Sequence, residues 1–362
     1  MKLVIDCFKL IKGTGKSIGI YNLTKNLVQN LADNKKKEDS IIVLGTNYNR
    51  DDFSIPGVKF VAVKYNPKNK LVCIFWELYL VTIALKKIGA DKVLFPRGFA
   101  PLVHPTKDYI IVHDMIPFYY HKNFPDVLNR FENAYIMWRL KASIKTSAKV
   151  ITVSESSKKD IMDITGVKGD KIKVILSGQN AISGVKARTE SLSYICAVTS
   201  GLPHKNAEGI VKSYEIYRKK QEEPLALVLI GLENTDTFDV CEETKKNITC
   251  YKFLEKDEDM YQIVADSSVF LFLSLIEGFG FPPLEAMQLG VPVICSDTSS
   301  IPEVVGDAAV LVSPTDYEAV ADKLVLLTRD RNLRENYIRR GYENAKRFLW
   351  ENRIQEYVEE LF

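Results

Sequence analysis

The sequence predicts an α/β protein that folds as two doubly wound domains, each with its own parallel sheet. The chain has 362 residues, more than a single hydrophobic core usually supports, so two domains of ordinary size are expected. Short runs of β-branched residues alternate with amphipathic stretches in both halves, a pattern typical of a parallel sheet covered by helices. Hydrophobic residues make up 46% and charged residues 26%, so the composition is that of an ordinary globular protein.

The first domain is predicted to span residues 1–177. Its predicted strands, in chain order, are Leu3–Cys7, Ile41–Leu44, Lys92–Phe95, Ile110–Val112, Val150–Val153 and Ile172–Leu176. Apolar residues at helical spacing follow the first strand, so Gly13–Gly19 is interpreted as a strand-to-helix turn. Ser154 follows the fifth strand and is the expected N-cap of the next helix.

Residues 178–192 are predicted to be an interdomain linker, because small and polar residues dominate there and the periodicity fails. The second domain is predicted at residues 193–345, where the alternation of strand and helix signals starts again. Its predicted strands are Tyr194–Val198, Ala226–Ile230, Val269–Leu273, Val291–Cys295 and Ala309–Val312. This half therefore predicts a second doubly wound sheet.

Composition and charge argue against several classes of protein. A formal net charge of +3 is too small to indicate nucleic acid binding, and the six cysteines form no C-x-x-C pair, which fits free thiols in a reducing cytoplasm. Asp6 interrupts the first apolar run, so a secretion signal is not expected. The longest apolar run, Leu71–Leu85, contains Glu77 and is shorter than the ~20 residues that span a bilayer. It predicts a buried helix, with contact to a membrane surface as the alternative.

The strongest motif follows the third predicted strand of the second domain and reads SLIEGFGFPPLEAM over residues 274–287. A glycine loop at Gly278–Gly280 leads into a helix, and backbone N–H groups at such a helix start can hold a phosphate. Glu277 in the loop and Glu285 in the first helical turn could accept hydrogen bonds from ligand hydroxyls. On spacing alone, the alternative is a solvated loop charge and a carboxylate that favours the helix dipole.

This segment resembles the signature of the retaining glycosyltransferases of family 4, in which EGFG precedes P-x-L-E-A-M and seven residues separate two glutamates. The resemblance implies the GT-B fold, in which two Rossmann-like domains face a central cleft and the C-terminal domain holds a nucleotide sugar. Gly278, Phe279 and Gly280 would then contact the diphosphate. Glu285 would bind the ribose, and Glu277 the transferred sugar.

Residues 198–206, VTSGLPHKN, resemble the segment of the same family whose lysine binds the donor diphosphate. Lys205 is that lysine, and a compact cation suits the charge that develops on a leaving nucleoside diphosphate. Many relatives have an arginine where this chain has Ser200. Ser200, Gly201 and backbone amides are therefore expected to share the diphosphate with Lys205.

Two segments of the first half also resemble the family. His113 and Asp114 open an H-D-x-x-P segment at the carboxyl end of a predicted strand. His113 would contact the transferred sugar or stabilise charge near its anomeric carbon, while Asp114 would cap or orient. Residues 17–21, SIGIY, resemble the family's first glycine loop, so Gly19 is expected at the ligand. The usual arginine of that loop is replaced by Ile20.

Two other patterns point to different chemistry, and neither is interpreted as a site for it. The GKS run at residues 15–17 has the end of a P-loop, but that motif needs a glycine where the chain has Leu10. The DED run at residues 257–259 has the D-x-D form of a metal site, but it opens a predicted helix, where acidic residues cap the end and favour the dipole. No metal and no cofactor are therefore expected, and the nucleotide sugar enters as a substrate.

Taken together, the resemblance predicts a metal-independent enzyme that moves a hexose, with retention, from a nucleotide diphosphate sugar to a glycan or lipid-linked acceptor. The first domain would bind the acceptor, in the synthesis of a cell-surface polysaccharide or glycoconjugate in the cytoplasm or at its membrane. By analogy with the fold, residues 346–362 would form a helix that packs back on the first domain. Two alternatives stay open: a nucleotide-sugar epimerase of the same fold, and a catalytically silent relative that binds an active transferase.

Overall fold

The computed structural model describes residues 1–13, 18–185 and 194–362. The chain divides into two compact units, the first made of residues 1–180 with 348–362 and the second of residues 181–347. The segment predicted as a linker begins in the first unit, continues into the second, and ends outside the described residues.

The first unit is built around a parallel sheet, which has seven strands within the described residues. The strands are β1 (Lys2–Asp6), β2 (Ser40–Gly45), β3 (Val58–Ala62), β4 (Lys92–Phe95), β5 (Lys107–Val112), β6 (Lys149–Thr152) and β7 (Ile172–Val174). Their order in the sheet is β3-β2-β1-β4-β5-β6-β7, so the direction of winding reverses between β1 and β4. In open α/β sheets, ligands bind at the carboxyl ends of the strands at such a switch point.

Helices connect the strands of the first unit. They are α1 (Ile18–Asn34), α2 (Arg50–Phe53), α3 (Lys70–Phe75), α4 (Val81–Ile88), α5 (Ile116–Asn123), α6 (Arg130–Thr146) and α7 (Glu155–Thr165). The periodic leucines of α1, Leu23, Leu27 and Leu31, are buried, as their spacing predicts. Oγ of Ser154 accepts the N–H of Ser157 at 3.0 Å, which confirms the predicted N-cap of α7.

One continuous helix runs from α3 through a π-helical turn at Trp76–Leu80 into α4. Leu71, Phe75, Tyr79 and Ile83 are 67%, 56%, 48% and 52% exposed, so the prediction of a buried helix is wrong for its outer face. In an α-helix, side chains four residues apart point about 40° away from each other around the helix axis. The π turn has more residues per turn and offsets that rotation. These four side chains therefore form one apolar stripe.

The described part of the chain contains no helix that combines the length and the apolar character needed to cross a membrane.

The second unit holds another parallel sheet, with six strands among the described residues. The strands are β8 (Tyr194–Val198), β9 (Ala226–Ile230), β10 (Ile248–Tyr251), β11 (Val269–Phe272), β12 (Val293–Ser296) and β13 (Val310–Val312). Their order is β10-β9-β8-β11-β12-β13, which places the switch point between β8 and β11. The predicted fold class, with two doubly wound parallel sheets, is confirmed.

Seven helices of the second unit lie within the described residues. They are α8 (Ala207–Lys219), α9 (Glu242–Lys246), α10 (Asp257–Ala265), α11 (Phe281–Gln288), α12 (Ile301–Val305), α13 (Tyr317–Arg329) and α14 (Arg331–Lys346). Apolar side chains of α8 and α13, among them Ile210, Tyr214 and Leu324, pack with the buried strands into one core.

The last helix, α15 (Trp350–Leu361), belongs to the first unit although it follows the second in the chain. Oη of Tyr357 donates to the carbonyl of Ile175 at 3.4 Å, just after β7. A side chain at Gly178 would collide with the Trp350 ring, so this glycine allows the returning helix to approach closely.

Candidate active site

Two loops meet at the switch point of the second sheet, one after β8 and one after β11. The Leu275 N–H donates to the carbonyl of His204 at 2.7 Å, which joins the loops directly. The Asn206 side-chain amide donates to the carbonyls of Leu273 and Pro314 at 3.0 and 2.8 Å. These bonds hold the two loops in a fixed relation at the carboxyl edge of the sheet.

Lys205 and Glu277 come from these two loops and form an ion pair. Nζ of Lys205 lies 2.6 Å from Oε1 of Glu277, although 72 positions separate them in the chain. The ammonium also lies over the ring of Phe272, 5.7 Å from its centroid. The two side chains are 26% and 11% exposed, so the lysine is the more accessible partner. The structure thus brings together two of the predicted site residues.

Two serines before α12 hold the loop that carries Glu277. Oγ of Ser299 accepts the Glu277 N–H at 2.9 Å, and Oγ of Ser300 lies 3.0 and 2.9 Å from the carbonyls of Glu277 and Phe279. Ser299 has a φ of 51°, which is uncommon for a residue other than glycine. Sequence reasoning missed both serines; the available signal was a pair of hydroxyl residues shortly after β12, the neighbour of β11 in the sheet.

The glycine loop turns into α11 at Gly280, which has a φ of 112°. A Cβ atom there would lie 2.6 Å from Cδ1 of Ile301, so both the backbone angle and the space require glycine. The side chain of Phe279 is buried and packs on Phe281, with 5.0 Å between the ring centroids. Phe279 could therefore contact a ligand only through its backbone.

The first turn of α11 has fewer backbone donors than an ordinary helix start. Pro282 and Pro283 have no N–H group, and no side chain caps the helix. A phosphate bound here would therefore accept hydrogen bonds from the N–H groups of Gly278, Gly280 and Phe281. The first turn of the helix, which the sequence predicted as the donor, contributes little.

Glu285 lies on α11, about one turn beyond the glycine loop. Burial and the nearby charge of Asp257 raise the pKa of its carboxyl from 4.5 to about 7. Part of the carboxyl population is therefore protonated near neutral pH, and no ion pair to Glu285 is present among the described residues. A carboxyl in this state favours hydrogen bonding to a polar ligand and is typical of functional sites.

The loop after β8 lies directly over the end of β9. A Cβ atom at Gly231, whose φ is 103°, would collide with the carbonyl of Thr199, so this close approach requires glycine. Oγ of Ser200 accepts the Leu202 N–H at 3.4 Å. Gly201 is exposed, and no atom lies within 4 Å of the place where its Cβ would be. The Gly201 backbone is thus accessible, as a contact to a diphosphate requires.

His204, next to Lys205, was not singled out from the sequence. Its side chain is buried, and burial lowers the pKa of the imidazole to about 4, with Glu277 opposing and Lys205 reinforcing the shift. The ring is therefore neutral at physiological pH, and it supports the Lys205 loop without adding a second positive charge.

His113 lies just after β5 in the first unit. Nε2 is 2.9 Å from the carbonyl of Pro96, and Oγ of Ser157 donates to the backbone carbonyl of His113. A carbonyl can only accept, so Nε2 carries the hydrogen and Nδ1 keeps a lone pair. Burial lowers the pKa of the imidazole, which leaves the ring neutral. Oδ1 of Asp114 accepts the Ile116 N–H at 2.9 Å just before α5, but the N-cap position belongs to Met115 and no side chain caps the helix, so the predicted capping is not observed.

Gly19 is the second residue of α1 rather than part of the preceding loop, so its interpretation as a turn residue is wrong. The helical spacing of the apolar residues in α1, rather than the position of this glycine, decides where the helix begins. Gly19 is exposed, and the space that a Cβ atom would take there has no neighbour within 4 Å. Residues 15–17, the GKS run, lie outside the described residues.

The acidic run at residues 257–259 forms the first turn of α10, as predicted. Side-chain capping is not observed, because the N-cap position is occupied by Lys256 and the acids lie inside the helix. From there they favour the helix dipole without a cap hydrogen bond. Over the part of the chain that the structure describes, no three His, Cys, Asp or Glu side chains are placed to hold a metal ion.

Known proteins resemble this chain in sequence and in fold. Residues 179–344 match the family model for glycosyl transferases group 1. The chain is 28% identical to O-antigen chain mannosyltransferase B of Escherichia coli, over 73% of this chain and 77% of that protein. It is 25% identical to O-antigen chain mannosyltransferase RfbU of Salmonella typhimurium, over 82% of this chain and 84% of that protein. The solved structure of Anabaena HepE in complex with UDP-glucose superposes with a TM-score of 0.71 at 14% identity, over 100% of this chain and 99% of that one. The chain is therefore a glycosyltransferase of GT-B fold, and its residues 179–344 form a glycosyl transferases group 1 domain.

Proposed function

We propose that this protein transfers a hexose from a nucleoside diphosphate sugar to a glycan or lipid-linked acceptor during the assembly of a cell-surface polysaccharide or glycoconjugate. The observation that carries the proposal is the pairing of Lys205 with Glu277 at the switch point of the group 1 domain, with Glu285 about one helical turn beyond the glycine loop. A cation and two carboxylates at the carboxyl edge of an α/β sheet can bind the diphosphate, the sugar and the ribose of one donor.

We assign Lys205 to the donor diphosphate. A diphosphate carries more negative charge than one carboxylate, so it would draw the ammonium from Glu277 and leave that carboxylate to accept from a sugar hydroxyl. Glu285 would accept from the ribose hydroxyls. Further contacts to the diphosphate are assigned to Ser200, Gly201, Gly278, Gly280 and the backbone of Phe279.

The proposed transfer keeps the anomeric configuration by front-face attack. The bond from C1 of the sugar to the phosphate oxygen breaks as the acceptor oxygen bonds to C1, and the acceptor proton passes to the leaving phosphate oxygen. Lys205 stabilises the charge on that leaving group. Neutral His113, with Nε2 engaged by Pro96, would accept a hydrogen bond from the transferred sugar at Nδ1.

We propose mannose as the transferred hexose, because the two relatives named above are mannosyltransferases. The test is a thermal-shift screen against GDP-mannose, UDP-glucose, UDP-galactose and their free nucleotides. A donor that binds only the folded state raises stability by about 2.7 kcal/mol at a hundredfold excess over its Kd, so a mannose nucleotide should raise the Tm most. Absence of a shift with every nucleotide sugar would contradict the proposal. Conversion of the donor to another nucleotide sugar without acceptor would favour the epimerase.

Transfer is expected to persist in excess chelator, because Lys205 and backbone N–H groups carry the leaving-group charge in this proposal. Asp257→Ala should lower the Tm, since an acid in a first helical turn contributes about 0.3–1 kcal/mol, while kcat changes little. The measurements are transfer rates with and without chelator and the thermal unfolding of the variant. Loss of activity that manganese restores would show that a metal takes part.

Glu285 should make both stability and nucleoside binding depend on pH. Its folded-state pKa of about 7 lies above the ordinary 4.5, so the folded protein holds an extra proton and loses stability as the pH rises through that interval. Glu285→Gln should therefore be more stable than the wild type at pH 8, by about 1–3 kcal/mol. At pH 5 this difference in stability should be smaller. Denaturant unfolding at the two pH values measures this difference.

The same carboxyl should release a proton when the ribose binds, because hydroxyl donation favours the charged form. Nucleoside affinity should then rise between pH 6 and pH 8 in the wild type and stay level in Glu285→Gln. Plain nucleosides are the right ligands, since they lack phosphates that titrate in this range. Calorimetry in two buffers with different ionisation enthalpies counts the released protons. A count of zero would show that Glu285 does not bind the ribose.

We also propose that the protein works in the cytoplasm and contacts the membrane through the apolar stripe on α3 and α4. Lys70, Lys86 and Lys87 are exposed on the same helix, where they would favour anionic lipid headgroups. Replacing Phe75 and Tyr79 together by aspartate should reduce sedimentation with phosphatidylglycerol vesicles about tenfold. Leu326→Asp, at an exposed leucine of the second unit, is the matched control. Equal vesicle binding by both variants would show that the apolar stripe is not the membrane contact.

A further inference from the structure

A series of contacts in the first unit runs from the π turn at Trp76–Leu80 to the ring of His113. It passes through Glu77, Arg97 and the carbonyl of Pro96, which follows β4. The cavity beside Glu77 and Arg97 has a volume of about 10 Å³, which is room for one water molecule. A bound ligand therefore does not explain these charged side chains, and we ask what they hold in place.

The π turn is anchored to β1 by Trp76. Nε1 of Trp76 lies 3.3 Å from both carboxylate oxygens of Asp6, the last residue of β1. The indole ring stacks on Phe8, with 4.5 Å between the ring centroids. Because Trp76 is 1% exposed and packs in the core, the segment that carries Glu77 has little freedom to move.

Glu77 is the buried centre of a group of three ion-paired side chains. Its Oε1 lies 3.0 Å from Nζ of Lys9 and 3.1 Å from Nη1 of Arg97. The Glu77 side chain is 8% exposed, whereas those of Lys9 and Arg97 are 28% and 23% exposed. Buried ion pairs contribute little to stability compared with apolar packing, so the arrangement is better explained by what it fixes.

Arg97 lies in a short loop between β4 and α6. The Gly98 N–H donates to the carbonyl of Phe95 at 3.2 Å, and Gly98 has a φ of 77°, which favours glycine. At the end of the loop, Oγ of Ser143 accepts the Ala100 N–H at 2.9 Å. The loop is therefore closed on β4 and attached to α6, while Arg97 joins its middle to the π turn.

The helix that contains the π turn holds the continuation of this loop at a second point. The Leu102 N–H donates to the carbonyl of Leu78 at 3.2 Å, and Oγ1 of Thr82 donates to the carbonyl of Val103 at 2.9 Å. The π turn and the loop after β4 are thus joined by backbone as well as by side chains, so a displacement of one would displace the other.

Pro96 connects the loop to His113. Its carbonyl accepts the Nε2–H of His113 at 2.9 Å, which selects the tautomer with a lone pair on Nδ1. The planar peptide unit that contains this carbonyl also contains the backbone nitrogen of Arg97. A contact that holds Arg97 therefore also limits the orientation of the carbonyl that holds the histidine ring.

We propose that Glu77 is a positioning residue of the transfer reaction, which holds Arg97 and thereby fixes the Pro96 carbonyl and the ring of His113. The inference rests on the proposed function, in which Nδ1 of His113 accepts a hydrogen bond from the transferred sugar. A ring that is fixed before the donor binds loses less freedom on the way to the transition state, so its contact contributes more to the rate. Glu77 itself touches no reacting atom.

The direct test observes the His113 ring by proton NMR without any substrate. A ring N–H that donates to a carbonyl in a buried place exchanges slowly with water, so the wild type should give a protected Nε2–H resonance, assigned by its loss in His113→Ala. Glu77→Gln keeps the shape of the side chain but removes its charge. Exchange should then become about tenfold faster, because the loop opens more often.

The second test measures transfer. Glu77→Gln should lower kcat about tenfold with little change in the donor KM, because the ring is held less precisely while the nucleotide contacts remain. In the His113→Ala background the same change should cost nothing further, since Glu77 acts through that ring. Asp108→Asn is the matched control. It alters a buried carboxyl 2.8 Å from Nδ1 of His104, at the amino end of β5, and should keep the wild-type kcat and exchange rate.

Three results would overturn the proposal: no protected resonance in the wild type, equal exchange in the wild type and Glu77→Gln, or an equal loss of kcat with and without His113. If Glu77→Gln does not fold, Arg97→Gln breaks the same contact from its more exposed side, leaves Glu77 paired with Lys9, and should give the same results. Failure of the proposed function is distinguishable, because His113→Ala would then transfer at the wild-type rate. The exchange rate, which needs no substrate, would still decide whether Glu77 positions the ring.

Discussion

Replacing Lys205 by alanine is expected to lower turnover of the nucleotide sugar about 100- to 1000-fold, the usual cost of removing one electrostatic stabiliser of a transition state. Affinity for the nucleoside diphosphate should fall about ten- to a hundredfold, as for loss of a charged hydrogen bond. Affinity for the plain nucleoside should hardly change, because it has no phosphate for the ammonium to bind. Calorimetric titration with both ligands measures the difference.

The control for this variant is Lys212→Ala, which removes a lysine that is ion-paired with Glu208 on α8. It should bind both ligands normally. Lys205→Ala also leaves the Glu277 carboxylate buried without its partner, so a lower Tm is expected from this variant alone. If the nucleoside and its diphosphate lose affinity equally, Lys205 does not bind the phosphates.

Replacing each of the two glutamates by glutamine should affect different properties of the enzyme, nucleotide affinity in one variant and turnover in the other. Glu285→Gln removes a charged acceptor from the ribose, so nucleoside diphosphate affinity should fall about ten- to a hundredfold. Glu277→Gln should leave that affinity unchanged or improve it, because it releases Lys205 from its ion pair at 2.6 Å. Turnover of the full donor should nevertheless fall about 100-fold in Glu277→Gln, since the sugar is no longer positioned.

Titrations of both glutamine variants, alongside steady-state rates with the sugar donor, separate these outcomes. The roles are wrong if Glu277→Gln loses nucleotide affinity as severely as Glu285→Gln, or if Glu285→Gln binds like the wild type. A double variant of Lys205 and Glu277 should cost less than the sum of the single changes, because the two side chains are in direct contact.

Strands with apolar runs could be predicted from the sequence, whereas two of the four edge strands of the described sheets, β3 and β10, could not. An inner strand is buried on both faces and reads as a continuous apolar segment, as in Val269–Phe272. Val58–Ala62 and Ile248–Tyr251 are only partly buried, with charged or polar residues among the apolar ones. Neither has a periodicity that separates it from a loop.

The residue types of the candidate site could be predicted, but their pairing could not. Lys205 and Glu277 were each found from a local motif, and only the adjacency of β8 and β11 brings them together. The charged side chains around Glu77 at the switch point of the first sheet were missed, because Asp6 and Arg97 belong to no local motif. Their common position, at the carboxyl ends of strands that become neighbours across the switch point, is visible only once the strand order is known.

The return of α15 to the first unit makes the second unit an insertion between residues 180 and 348. Exchange of the second unit between related enzymes therefore needs two junctions, near residues 180 and 347, rather than one cut in the linker. A chimera joined at a single point would bring a foreign last helix against Ile175 and Gly178, where its close fit depends on a glycine beneath a tryptophan ring. The second unit, to which we assign donor binding, is therefore joined to the first unit at both of its ends.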